Sequence, residues 1–360
     1  MAGQTEIERS PLRVLVLADC RSFHTERYVA ELRRQGCCVL VASLEHGSLH
    51  HFKLKAHSPL QSLYYPLTVP AIRALVGRFM PDIINPHFAS GYGFTAALAR
   101  PRVPILLHLW GSDILLVPNK SALHRAKTKL ALQSASGVIG DSEYLLQEAA
   151  KIAGFRQQRK IVWGIEKECL TWHREDYRLS RPLKVIVPRP HEPVYNNAFL
   201  LEALAPLIND RLIDVTWPGF GSMLSAFQRK ATELAGNQVH YYECMPRREF
   251  LQFEASHDIY LSAALSDSSP ASLIEAMGLG LIPVAGDIPG VREWLGPDNG
   301  CLFDLSEPDS LCEILTDIAG RDDNHALMRK TNLEKVKRVG IFENNIAETI
   351  GIMCELAGKS

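Results

Sequence analysis

Short runs of apolar, β-branched residues alternate along this chain with longer amphipathic stretches, the pattern of parallel strands covered by helices. In the first half, Arg13–Ala18 reads as a buried strand, Thr25–Gln35 as a helix and Cys38–Ser43 as the next strand. Further strands are expected at Asp82–Asn85, Ile105–Trp110 and Gly137–Gly140. The triplet Asp141–Glu143 supplies a capping signal for a helix from Tyr144 onward. A charged stretch poor in aliphatic residues, Lys167–Pro182, then interrupts the pattern and reads as a linker. The alternation resumes with strands at Leu183–Val187, Ile213–Thr216, Val239–Tyr241, Asp258–Leu261 and Ile282–Ala285. The chain is therefore expected to be α/β, in two halves of similar size.

With 360 residues, two domains of ordinary size fit the length. A charged fraction of 22% and a formal net charge of −1 argue for a globular protein and against nucleic acid as partner. No apolar run approaches the roughly 20 residues needed to span a bilayer. Residues Met1–Ser10 are polar, lack an apolar stretch and read as a disordered leader rather than a signal peptide, and the expected location is the cytoplasm. The eight cysteines are scattered, with no C-x2-C pair, so they read as buried free thiols rather than a metal site or a disulfide framework. Basic residues gather at Leu123–Lys129, where His124, Arg125, Lys127 and Lys129 share a helix. A solvated helix face is the simpler reading, and a weak peripheral contact with anionic lipid at the inner membrane face is the alternative.

The segment richest in chemistry runs from Ser266 to Ala285. A strand should end near Leu265, a loop of small residues follow, and a helix begin around Ser269–Ala271, with Pro270 in its first turn. Free N–H groups at Ser268, Ser269, Ala271, Ser272 and Leu273 could then hold a phosphate or hydroxyls. Asp267 and Glu275 are separated by seven residues, and Glu275–Met277, Gly280 and Pro283–Val284 follow. This arrangement resembles the E-x7-E signature of the retaining glycosyltransferases of family 4, with Asp267 in place of the first acid. The resemblance implies the GT-B fold: two facing Rossmann-like domains with an interdomain cleft. The first, 1–170, would be the acceptor domain, completed by the C-terminal helix 342–360; the second, 180–340, would hold the donor.

Within that resemblance, Asp267 would lie near the transferred sugar and Glu275 would bind the ribose hydroxyls. Arg189, at the end of the first strand of the second half, would neutralise the donor diphosphate. The lysine expected a few residues later is absent, leaving His191 or Asn196 as stand-ins. The segment Tyr241–Pro246, Met245 included, would cradle the base. In the first half, Arg21–Arg27, Pro86–Gly93 and Trp110–Asp113 resemble family loops, with Trp110 where the family has a histidine beside the reacting sugar that helps orient the donor. His108, on the same strand, is the replacement candidate, and Asp113 is either a site residue or a helix cap. No cofactor and no metal are implied, only a donor linked to UDP or GDP. The implied activity is hexosyl transfer with retention to a glycan, lipid-linked or small-molecule acceptor, in polysaccharide or cell-surface glycan biosynthesis. A nucleotide-sugar epimerase and a non-catalytic binding subunit remain the alternatives.

Overall fold

The computed structural model describes residues 10–55, 64–321 and 325–359. The expected leader therefore lies outside the described residues, except for Ser10. The chain divides into two compact units, residues 1–161 with 346–360, and residues 162–345.

In the first unit the strands are β1 (Arg13–Leu17), β2 (Cys38–Ser43), β3 (Phe52–Lys53), β4 (Ile83–Pro86), β5 (Leu106–His108), β6 (Gly137–Gly140) and β7 (Gln158–Lys160). They pair in the orders β3-β2-β1-β4 and β5-β6-β7, all parallel. Parallel bridges Ile84–Ile105 and His87–His108 join β4 to β5. Val14, Leu15, Val16 and Leu17 are completely buried, as the unbroken apolar run of β1 requires of a strand covered on both faces.

The second unit carries β8 (Leu183–Ile186), β9 (Ile213–Pro218), β10 (His240–Tyr242), β11 (Ile259–Ser262), β12 (Ile282–Gly286) and β13 (Cys301–Phe303). Their order is β10-β9-β8-β11-β12-β13, again all parallel. Each unit is thus Rossmann-like. The strand order reverses at β8, between β9 and β11, and open α/β sheets bind ligands beyond the carboxyl ends of strands at such a point. The loops leaving β8 and β11 carry Arg189 and Asp267. They are tied together by the Leu265 N–H donating to the Val194 carbonyl at 2.8 Å.

The stretch expected to be a linker belongs to the second unit. Lys167–Trp172 forms a 3-10 turn with Cys169 buried. His173 Nδ1 meets the Gly278 carbonyl at 2.8 Å, and Arg174 donates to Asp258 at 2.9 Å. Asp258 is wholly buried and also accepts the Ser180 N–H at 3.1 Å. Arg174 therefore fastens the stretch to the second unit, while Lys167, Glu168, Glu175, Asp176 and Arg178 are exposed. The cysteines are all free thiols, but only Cys20, Cys37 and Cys169 are buried; Cys38, Cys301, Cys312 and Cys354 are half-buried and Cys244 is exposed.

Candidate functional site

The loop after β8 places Arg189 under the loop after β11. Its guanidinium forms an ion pair with Asp267, donates to Ser272 Oγ at 3.2 Å, and stacks 4.3 Å from the centre of the Tyr195 ring. Both charged side chains are mostly buried, at 14% and 17% exposed. Asp267 also accepts the Ser268 N–H at 3.0 Å. Two glycines allow this close packing. A Cβ on Gly290 would stand 2.3 Å from the Asp267 carbonyl oxygen, and one on Gly221 2.3 Å from the His191 nitrogen. Gly221 also has φ +126, a conformation L residues rarely adopt.

Helix Ala271–Leu279 starts directly after this loop, with Pro270 at its N-cap position. Its first N–H groups, at Ala271 and Ser272, have no intrahelical acceptor. Every residue from Leu273 to Leu279 is buried, so Glu275 is a charge enclosed in an apolar helix. Burial on that scale demands a partner. Arg247, at the start of helix Arg247–Ala255, provides it with a two-pronged grip: Nη1 to Oε2 at 3.0 Å and Nη2 to Oε1 at 2.5 Å. Glu166 lies 3.7 Å from the same guanidinium.

Seven residues after Arg247, on the same face of that helix, stands Glu254. It is completely buried, and neither of its oxygens has a hydrogen-bond partner among the described residues. Burial, reinforced by the charge of Glu275 and only partly offset by Arg247, pushes its carboxyl well above the ordinary carboxylate range. The folded protein therefore keeps a proton that the unfolded chain releases, and stability must fall as pH climbs from the ordinary glutamate range to the raised folded value. Glu254→Gln is expected to remove this dependence. Urea unfolding at successive pH values should favour the variant increasingly, by up to about 1.4 kcal/mol per pH unit across that window. A constant difference would mean that Glu254 is ionised in the fold.

The remaining expected residues divide between the site and the core. Ser272 is in the site, shared between Arg189 and the Tyr260 hydroxyl at 3.1 Å. Ser268 and Ser269 are buried, and Ser269 Oγ accepts the Trp294 indole N–H at 2.9 Å, so that hydroxyl braces the loop. Leu273 is no ligand: its side chain is wholly in the core and its N–H bonds the Pro270 carbonyl at 3.1 Å. Met245 is half-buried and packs against the same core. His191 cannot stand in for the missing lysine. It is buried between Trp217 and Phe227, with Nε2 on the Pro218 carbonyl at 2.9 Å. Asn196 instead supplies the left-handed turn (φ 53) before helix Asn197–Asn209.

In the first unit, His108 is 3% exposed, packed against Tyr28 and His87, and burial pushes its pKa down to about 3. It is a neutral core histidine rather than a catalytic group. Asp113 is likewise structural: completely buried, it accepts the N–H groups of Ala89 at 2.7 Å and Trp110 at 2.9 Å, tying two loops together. Desolvation outweighs those bonds and raises its pKa to about 6. Arg247, Glu254 and Tyr195 were missed by sequence reasoning. The seven-residue spacing of Arg247 and Glu254 was the available signal for the first two.

Residues 13–142 match the family profile described as glycosyl transferase 4-like, and residues 181–321 that of glycosyl transferases group 1. The chain belongs to the GT-B glycosyltransferases. Among relatives of this glycosyltransferase is TuaC of Bacillus subtilis, 26% identical over 249 residues; its own assignment to teichuronic acid biosynthesis as a glycosyltransferase is provisional. That match spans 66% of this chain and 61% of the relative. Solved structures share the fold. Sucrose-phosphate synthase from Thermosynechococcus elongatus superposes with a TM-score of 0.81 at 14% identity, covering 97% of this glycosyltransferase and 100% of that chain. HepE from Anabaena, solved in complex with UDP-glucose, gives 0.74 at 19% identity over 94% and 99%.

Proposed function

We propose that this glycosyltransferase moves a hexose from a UDP- or GDP-linked donor, held by the second unit, to a hydroxyl of a glycan, lipid-linked or small-molecule acceptor held by the first. The observation that carries this reading is the placing of Arg189 and Glu275 along one helix. Arg189 bonds Ser272, and Glu275 lies three residues further, about 4.5 Å along the axis. A cation beside free helix N–H groups suits a diphosphate, and a carboxylate one turn away suits two ribose hydroxyls. The UDP-glucose complex of HepE supports the donor class. The teichuronic acid assignment of TuaC supports a setting in polysaccharide or cell-surface glycan synthesis.

In this reading the bond from the sugar's anomeric carbon to the phosphate oxygen breaks, and the acceptor oxygen bonds the same face of that carbon. The acceptor's proton passes to the departing phosphate oxygen, so configuration is retained and the diphosphate leaves protonated. Arg189 and the first-turn N–H groups stabilise the charge that develops on the leaving group. Arg247 holds the Glu275 carboxylate in place through its two-pronged grip.

A thermal-shift screen against nucleoside diphosphates and their sugar conjugates tests the proposal. One nucleotide should raise stability by about 2.7 kcal/mol at a hundredfold excess over its dissociation constant. Its sugar conjugate should then yield a glycoside of retained configuration by NMR. Stabilisation by none of them would overturn the donor assignment in favour of a non-catalytic subunit. Release of free sugar epimer without acceptor would point to an epimerase.

A further inference from the structure

Helix Ala122–Ser134 in the first unit buries Thr128, Ala131 and Leu132 on one side. Its other side exposes Leu123 at 57% and Leu130 at 36%, and Leu116 ahead of it is 42% exposed. The three- and four-residue spacings of Leu123, Ala126 and Leu130 bring these residues into one stripe. Such a stripe on a surface helix lacks the polar cover that solvent exposure calls for.

Charge around it is lopsided in a protein that is nearly neutral overall. Between Asp82 and Asp141 the chain has six cations, Arg100, Arg102, Lys120, Arg125, Lys127 and Lys129, and one acid, Asp113. Asp113 is completely buried, so it offers no negative charge to the surface. All six cations except Lys127, which is half-buried over the Phe94 ring, are exposed. On the neighbouring helix Glu143–Ile152, Glu148 is paired with Lys151 at 2.5 Å. Leu130 also lines a cavity of about 280 Å³ with Leu98, Arg100 and Pro101, so apolar lining and a cation meet there too.

We propose that this face docks the protein on an anionic phospholipid surface, with Leu116, Leu123 and Leu130 entering the headgroup region and the surrounding cations meeting lipid phosphates. Long basic side chains suit this arrangement, since their stems lie along apolar surface while their heads stay among charges. Charge complementarity selects the occupant: a neutral bilayer would leave the cations without counter-charges, and an acidic groove alone would leave the leucines without an apolar partner. No helix among the described residues is long and apolar enough to cross a membrane, so the contact would be peripheral. The inference does not depend on the donor site.

Co-sedimentation of the full chain with vesicles tests it, using phosphatidylcholine alone and phosphatidylcholine mixed with phosphatidylglycerol. Binding is expected only with the anionic lipid, weakening as salt rises. It should fall about tenfold or more in Leu123→Glu/Leu130→Glu and in Lys120→Glu/Lys129→Glu. Melting temperature, and nucleotide-induced stabilisation in the second unit, should be unchanged in both, which separates lost docking from lost folding. The proposal is overturned if the wild type ignores anionic vesicles, or if well-folded variants bind them equally. It is also overturned if sedimentation velocity shows that the leucine variant dissociates a dimer instead.

Discussion

Replacing Glu275 by alanine is expected to abolish nucleotide-induced stabilisation and weaken the donor's dissociation constant by at least about a hundredfold. Two ribose hydroxyls bonded to one ionised carboxylate would each contribute about 1.5–3 kcal/mol. Losing both therefore costs about 3 kcal/mol or more, and 1.4 kcal/mol is tenfold. Stability of the empty protein should suffer less than the loss of a buried pair suggests. Arg247 is 33% exposed, and its charge can turn to solvent or to Glu166 once Glu275 is gone. Calorimetric titration with the nucleotide identified in the screen, alongside a melt without it, separates the two effects. Wild-type affinity in Glu275→Ala would remove this residue from the site while leaving the fold untouched.

Replacing Arg189 by alanine should lower turnover by about a hundredfold to a thousandfold, as for loss of a group that meets charge developing in a transition state. The neighbouring Asp267 sharpens the expectation. Without the guanidinium, a mostly buried carboxylate would face an incoming diphosphate with nothing between them. Affinity for the nucleotide should therefore fall along with turnover. The double variant Arg189→Ala/Asp267→Asn should bind nucleotide better than the single one, while turnover stays low. Arg189→Lys should behave poorly too, because a compact ammonium cannot meet Asp267, bond Ser272 and lie over the Tyr195 ring together. Steady-state rates and nucleotide titrations on the wild type, Arg189→Ala, Asp267→Asn and the double variant would measure the coupling, and strict additivity would mean that Arg189 and Asp267 act separately.

The sheets were legible because buried parallel strands are written as nearly unbroken apolar runs, as in β1, β11 and β12. Asp267, Glu275 and Arg189 were singled out by the resemblance of their motifs to family ones, and the fold brings Arg189 and Asp267 together. What escaped was pairing across the fold. Arg247 lies 28 residues from Glu275 in sequence, and only the packing of two helices brings them together. The same blindness made Lys167–Pro182 look like a linker, since nothing local reveals that Arg174 serves the buried Asp258. It also gave His108 a chemical part, although enclosure by Tyr28 and His87 leaves it neutral and out of reach. Charged residues in a linear sequence look alike whether they face water or a buried partner.

The last helix, Phe342–Ala357, has a bearing on how such enzymes could be recombined. It begins within the second unit, but residues 346–360 are counted with the first, where Lys359 pairs with Asp82 at 2.6 Å. In genetic terms the second unit is an insertion inside the first. A single crossover between residues 161 and 162 would therefore carry away the tail on which the first unit relies, and a chimera that exchanges one whole unit needs two junctions, the second near residues 345 and 346.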